Sequence, residues 1–175
     1  MIVILTGDVG SGKTTFLSGF LKILSSRSPA LDGFLGPRFY EKDHLLGYDL
    51  VAVRDGRRFP FMRRANEPSR TAVGPWRLVD HALDAAAVII RGSRPEAVLI
   101  VDELGPLELE GRGHGPALAA VLNQPGRRFL FVIRTSCLDG FLPRFAGRMV
   151  SVHPVDEKKC VETIIEELAA NGRDG

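Results

Sequence analysis

Residues 6–15 read TGDVGSGKTT and follow directly on the apolar run MIVIL. A plain turn needs one glycine; this stretch has Gly7, Gly10 and Gly12. Glycines so close together let the backbone curl around an anion with its N–H groups turned inward. Gly7-Asp8-Val9-Gly10-Ser11-Gly12-Lys13-Thr14 has the spacing Gly-x4-Gly-Lys-Thr, the P-loop pattern. That pattern cradles phosphate when it joins a buried strand to the start of a helix. Both flanks are present. IVIL is branched and without alternation, which predicts a strand buried on both faces. From Thr14 to about Ser25 the period changes, and Phe16, Leu17, Phe20, Leu21 and Leu24 share one helical face. Gly7 to Thr15 are therefore the expected phosphate-binding residues. Lys13 would reach the β- and γ-phosphates, and the Thr14 hydroxyl would enter the shell of a Mg²⁺ cofactor.

Such a loop needs an acid across from it. AVLIVDE supplies a second buried strand that is expected to end at Asp102, with Glu103 next. Asp102 is the expected Mg²⁺ ligand beside Thr14. Glu103, directly after it, is placed to accept a proton from attacking water. Arginine can offset charge on a transferred phosphoryl group. Arg38, Arg54, Arg57, Arg58, Arg63, Arg64 and Arg70 lie in the first half of the chain, where most read as solvated. Arg134 is the favoured single candidate. It ends the buried run RFLFVI, at the sheet edge where ligands of open α/β folds collect. Glu108 and Glu110 read as solvent-facing. No Asn/Thr-Lys-x-Asp stretch for guanine occurs, so broad use of nucleotide bases is expected.

Apolar strands alternating with helices predict an α/β fold, a three-layer P-loop sandwich with a mostly parallel sheet. The 175 residues fit one domain, 1–175, with a β-rich hairpin insertion over about 31–62. Within it Asp55-Gly56 reads as a type I′ turn. RRANEPSRTAVGP reads as loop, and Pro75 to Ile90 as a helix with Leu78, Ala82, Leu83 and Ala86 inward. A short helix from Pro116, a helical turn at DGFLPRF, a strand at RMVSV and a last helix ending near Asn171-Gly172 complete the pattern. A formal net charge of +2 is too small to argue for nucleic acid as partner. Cys137 and Cys160 read as reduced thiols, and the four histidines show no metal-binding spacing. No signal peptide and no membrane span is read, so the expected compartment is the cytoplasm.

With GDVGSGKTT, DGFLGPRF, GYDLV, VDELGPLEL and RTSCLDGFLPRF, the chain resembles the small P-loop nucleoside-triphosphatases of the thermophile and cancer-related type. The resemblance covers nearly the whole chain, and Asp-Glu-x-Gly-x-x-Glu-Leu is its more specific mark. It implies slow Mg²⁺-dependent hydrolysis of ATP, GTP and other nucleoside triphosphates. It also implies a RecA-like order, with one strand between the P-loop strand and the Asp102 strand. Two other functions stay open on the residues alone. One is a nucleotide or nucleoside kinase with an arginine-rich lid. The other is a nucleotide-dependent binding module with a protein partner that the sequence does not identify.

Overall fold

The apolar runs become strands because each is covered on both sides, and in β1 (Ile2–Gly7) the residues Ile2 to Leu5 are wholly buried. The computed structural model describes residues 1–27, 30–64, 72–156 and 160–170. After β1 come α1 (Lys13–Arg27), β2 (Leu31–Leu35), β3 (Arg38–Glu41), β4 (His44–Ala52), β5 (Arg58–Arg64), β6 (Ala72–Val73) and β7 (Trp76–Leu78). The chain continues through α2 (Asp80–Arg91), β8 (Val98–Leu104), α3 (Pro106–Leu109), α4 (Gly115–Leu122) and β9 (Arg128–Arg134). It closes with α5 (Leu138–Phe141), β10 (Val150–Pro154) and α6 (Cys160–Ala170).

The sheet order is β10-β1-β9-β8-β2-β4-β5-β7-β6, with β3 on β4. From β10 to β2 all pairings are parallel. One strand, β9, separates β1 from β8, as the resemblance implied. Alternate residues of each strand feed the two layers. Val3, Leu5, Val98, Ile100, Leu130 and Val132 pack with α1 and α6. Ile2, Ile4, Leu99, Val101, Phe129 and Phe131 pack with α2 and α4 on the other face. Among the described residues, no helix is long and apolar enough to cross a membrane.

Several boundaries differ from the sequence reading. Leu31–Leu35 is not part of an insertion; it pairs parallel with β8 and belongs to the central sheet. The antiparallel extension begins at β3 and runs past Met62 to β7. Gly33 explains the disguise. Its φ is +104°, and a Cβ there would lie 1.9 Å from the Ile100 carbonyl oxygen, so a glycine interrupts what is otherwise a buried strand. The tight two-residue turn is Lys42-Asp43, both with positive φ, between the paired residues Glu41 and His44. At Asp55-Gly56 only Gly56 has positive φ, and the Asp55 carboxylate accepts from the Arg57 N–H at 3.0 Å. The predicted helix from Pro75 starts only at Asp80. Trp76–Leu78 pairs with β5, and Leu78 matched the helical period because it happens to lie four residues before Ala82. Residues 65–71 of the predicted loop, Arg70 with them, and the expected helix end near Asn171 lie outside the described residues.

Asp32 anchors β2. It is buried, and its carboxylate accepts from Arg54 at 2.6 and 2.7 Å and from the Arg94 side chain and N–H. Burial alone would raise its pKa, but these hydrogen bonds outweigh it and hold the group well below the usual carboxylate range. The folded state thus binds its proton less readily than the unfolded chain. The stabilisation is complete above the unfolded value near ~4 and is lost as pH falls from there toward the folded value. We expect Asp32→Asn to cost about 1–3 kcal/mol at neutral pH. It should also flatten the loss of stability between pH 6 and pH 3 in denaturant titrations. Parallel pH profiles for the two proteins would remove Asp32 as the source.

Candidate active site

The loop between β1 and α1 has the curl that its glycines predict: Gly10 and Gly12 take φ of +83° and +84°. Lys13 is buried, and its ammonium donates to the carbonyls of Gly7 at 2.8 Å and Asp8 at 2.7 Å. These bonds use two of its three donors and hold the head group at the mouth of the loop. The Ser11 N–H closes the loop onto the Asp8 carbonyl at 3.2 Å. Val9, Gly10, Gly12, Lys13, Thr14 and Thr15 line the floor of a cavity of about 850 Å³.

Asp102 lines the same cavity from the tip of β8. The carboxylate is buried and takes one bond, from the Gly36 N–H to Oδ2 at 3.1 Å; among the described residues Oδ1 has no hydrogen-bond partner. Burial raises its pKa to about 6, with help from the Glu103 charge, against the Gly36 hydrogen bond, the nearby Thr14 hydroxyl and the charge of Lys13. Thr14 therefore faces Asp102, as the sequence reading requires. A buried carboxylate oxygen without a partner, beside a hydroxyl and an amide-lined loop, is a donor set that suits a divalent cation with few protein ligands. Mg²⁺ fits this pair.

The prediction that β8 ends at Asp102 is corrected by the structure. The strand runs on to Leu104 through a bulge: Asp102 pairs with Val132 and Leu104 with Ile133, so Glu103 is the extra residue. A bulge re-aims a side chain, and here both Asp102 and Glu103 line the cavity. The Glu103 carboxylate is gripped by the Arg134 guanidinium from the tip of β9, each about one-third exposed. The two residues predicted to act separately on the γ-phosphate thus form one ion pair.

Glu108 is not solvent-facing. It is buried on α3 and accepts from the Gly105 N–H at 3.0 Å, which ties down the turn after Glu103. Its other oxygen lies 3.3 Å from Nδ1 of the buried His114. Glu110 is exposed and pairs with Arg112. Of the hairpin arginines, Arg54 is taken by Asp32, Arg57 by Asp55, and Arg58 and Arg63 by Asp49. Arg64 lies over the Trp76 ring. Arg38 differs: it lines the cavity, and its guanidinium approaches within 3.9 Å of where a Cβ on Gly10 would stand. Nothing in the residue pattern favours Arg38, Glu108 or His114, because what places them is the folding of β3 and α3 against the loop. Gly36, next to Pro37, carried no signal for its bond to Asp102.

Comparison with known proteins identifies a family and a fold. The family model described as NTPase matches residues 2–167. Nucleoside-triphosphatase THEP1 of Methanopyrus kandleri is 33% identical over 109 residues, 62% of this chain and 59% of that protein. THEP1 of Saccharolobus solfataricus is 28% identical over 62% of each chain. The match thus spans about three-fifths of the length of these relatives. A cancer-related nucleoside-triphosphatase homolog of Bos taurus is 29% identical over 71% of this chain and 70% of its own. The solution structure of a human cancer-related nucleoside triphosphatase superposes with a TM-score of 0.76 at 24% identity, over 96% of this chain and 97% of that one. The crystal structure of THEP1 from Aquifex aeolicus gives 0.73 at 21%, over 96% and 99%. These two likenesses show the fold.

The buried bond from Gly105 to Glu108 predicts a measurable cost. Glu108→Ala should lower unfolding stability by about 1–3 kcal/mol by orphaning a buried N–H. Glu108→Gln keeps an acceptor and should lose distinctly less in thermal denaturation. Equal losses would remove that bond as the cause.

Proposed function

Since the chain belongs to the NTPase family, we propose that it hydrolyses nucleoside 5′-triphosphates, ATP and GTP among them, to diphosphate and phosphate with Mg²⁺. The observation that carries this reading is the buried, partnerless Oδ1 of Asp102 beside Thr14 and the P-loop. A cation offsets such an oxygen well, and a phosphate chain held by a ring of amides takes that cation as its counter-charge.

In this reading the N–H groups of the loop and the start of α1 bind the phosphates. Lys13 turns its remaining donor to the β- and γ-oxygens. Asp102 and Thr14 would hold the Mg²⁺, which when bound supplies positive charge to the same oxygens. Glu103 takes the proton of the attacking water. Arg134 grips Glu103 and so sets its direction, acting as a positioning residue. Arg38, facing Gly10, is the better placed of the two to offset charge on the phosphates. An arginine committed to the γ-phosphate is worth ~10³–10⁵ in rate. Arg134 is engaged with Glu103 instead, which supports a slow turnover. The absence of a guanine-reading stretch supports broad base use, and we place the activity in the cytoplasm without a nucleic-acid partner. An arginine-rich lid is not favoured, because Arg54, Arg57, Arg58 and Arg63 are held by aspartates and Arg64 lies over the Trp76 ring, which leaves Arg38 as the described hairpin arginine that faces the cavity.

Phosphate release from ATP, GTP, CTP and UTP, with Mg²⁺ and with excess chelator, tests the reading; release that ignores the chelator would overturn the cation role. We expect Lys13→Ala to abolish tight triphosphate binding. Glu103→Gln should keep binding and lose turnover by about 10²–10⁴-fold. Unchanged affinity in the first variant, or full turnover in the second, would remove the assigned role.

A further inference from the structure

The cavity does not stop at Glu103. Its polar floor is the P-loop, but it continues over the tip of β8 to a chamber walled by Tyr48, Phe61, Met62, Trp76 and Leu83, with His114 among its lining residues. Phe61 and Leu83 belong to the layer of α2, on the face of the sheet opposite α1. Direction follows from the loop. Lys13 and the Thr14–Asp102 pair fix the γ-end of a bound triphosphate toward Glu103, so the nucleoside lies on the other side. The chamber is thus where an attacking group would stand in line with the bond to be broken. Hydrolysis needs only a water there, about 30 Å³; the apolar walls are more than a water requires.

We propose that this chamber is a second-substrate site for a heteroaromatic alcohol, which receives the γ-phosphoryl group in place of water. The proposal rests on the nucleotide reading above. Two observations define the ligand. Tyr48 and Trp76 meet edge to face, with centroids 5.4 Å apart and planes at 84°, giving a rigid aromatic wall suited to a flat ring. His114 is 3% exposed, and among the described residues neither ring nitrogen makes a hydrogen bond. Burial lowers its pKa against the pull of Glu108, so the imidazole is neutral and offers one donor and one acceptor. A ring with a complementary heteroatom would satisfy it. In the transfer, the alcohol oxygen forms a bond to the γ-phosphorus. The bond from that phosphorus to the β,γ-bridging oxygen breaks, and the nucleoside diphosphate leaves. The alcohol proton passes to the Glu103 carboxylate and then to water.

The chain has a single tryptophan, Trp76, and it lies on the chamber wall, so its fluorescence reports occupancy. The full chain is titrated with hydroxymethylpyridines, hydroxyethylindoles and nucleosides, with and without Mg²⁺ and a non-hydrolysable triphosphate. We expect a saturable change for at least one member, additive with the triphosphate. His114→Ala should weaken it about tenfold or more, and His114→Gln should restore most of it. Leu83→Phe, which fills the chamber from a half-buried position, should weaken it while leaving triphosphate affinity unchanged. With ATP and the bound alcohol, ³¹P NMR should show a phosphate monoester. No saturable change with any member, displacement by the triphosphate, or binding without ester would each overturn the proposal. Lys13→Ala separates the two readings: it should lose the triphosphate and keep the alcohol.

Discussion

The structure turns on one electrostatic arrangement, a buried carboxylate held across from a loop whose amides point at the same space. The strand between them sets the distance. Neighbouring strands lie about 4.8 Å apart, so Asp102 on β8 and the P-loop on β1 are separated by roughly 10 Å of sheet, enough for a phosphate and a hydrated cation. Adjacent strands would leave no room, and two intervening strands would leave the ion unshared. The order β1-β9-β8 therefore fixes the chemistry as much as any side chain does. The bulge at Glu103 adds a second carboxylate at the same edge without displacing the first.

Charge elsewhere is organised to keep out of the way. The hairpin looks like a basic arm in sequence, yet its described arginines are spent on structure. Asp49 takes Arg58 and Arg63, and Asp32 ties Arg54 to Arg94. Both aspartates are buried, so each pair fixes a strand rather than decorating the surface. What remains facing the cavity is Arg38 and Arg134, one from β3 and one from β9. Local charge density was a poor guide to where positive charge acts; pairing decided it.

The parts that were legible in the sequence are those with a local physical cause. The P-loop announced itself because its spacing, glycines and flanks all serve one anion. Asp102 followed because a buried strand running into an acid is costly without a use for it. The faces of α1 and α6 followed from the helical period, with Leu17, Phe20, Leu24, Ile164 and Leu168 buried as spaced. What was not legible depends on contacts between distant segments. Gly33 broke the apolar run of β2 and hid a central strand, although its reason, the close Ile100 carbonyl, lies 67 residues away in sequence. Lys42-Asp43 makes the tight turn without a glycine, so the Asp55-Gly56 dipeptide drew the assignment. Glu108 looked solvated because its partners, Gly105 and His114, form a pocket only once α3 folds back under α4. The pairing of Glu103 with Arg134 required knowing that β8 and β9 are neighbours.

Two buried polar atoms without a hydrogen-bond partner among the described residues line one cavity, Oδ1 of Asp102 near the loop and Nε2 of His114. Each costs on the order of 1–3 kcal/mol in a fold whose whole stability is about 5–15 kcal/mol. His114 is the N-cap residue of α4, yet its side chain makes no capping hydrogen bond there. On the proposed reading a cation relieves the cost at Asp102 and ties that group to the phosphates. His114 has its Nδ1 3.3 Å from the Glu108 carboxylate, and among the described residues its Nε2 makes no hydrogen bond. As proposed, relief at Nε2 comes from a molecule with its own donor or acceptor in a flat apolar body. The two groups then take two different ligands, in a cavity that Glu103 also lines.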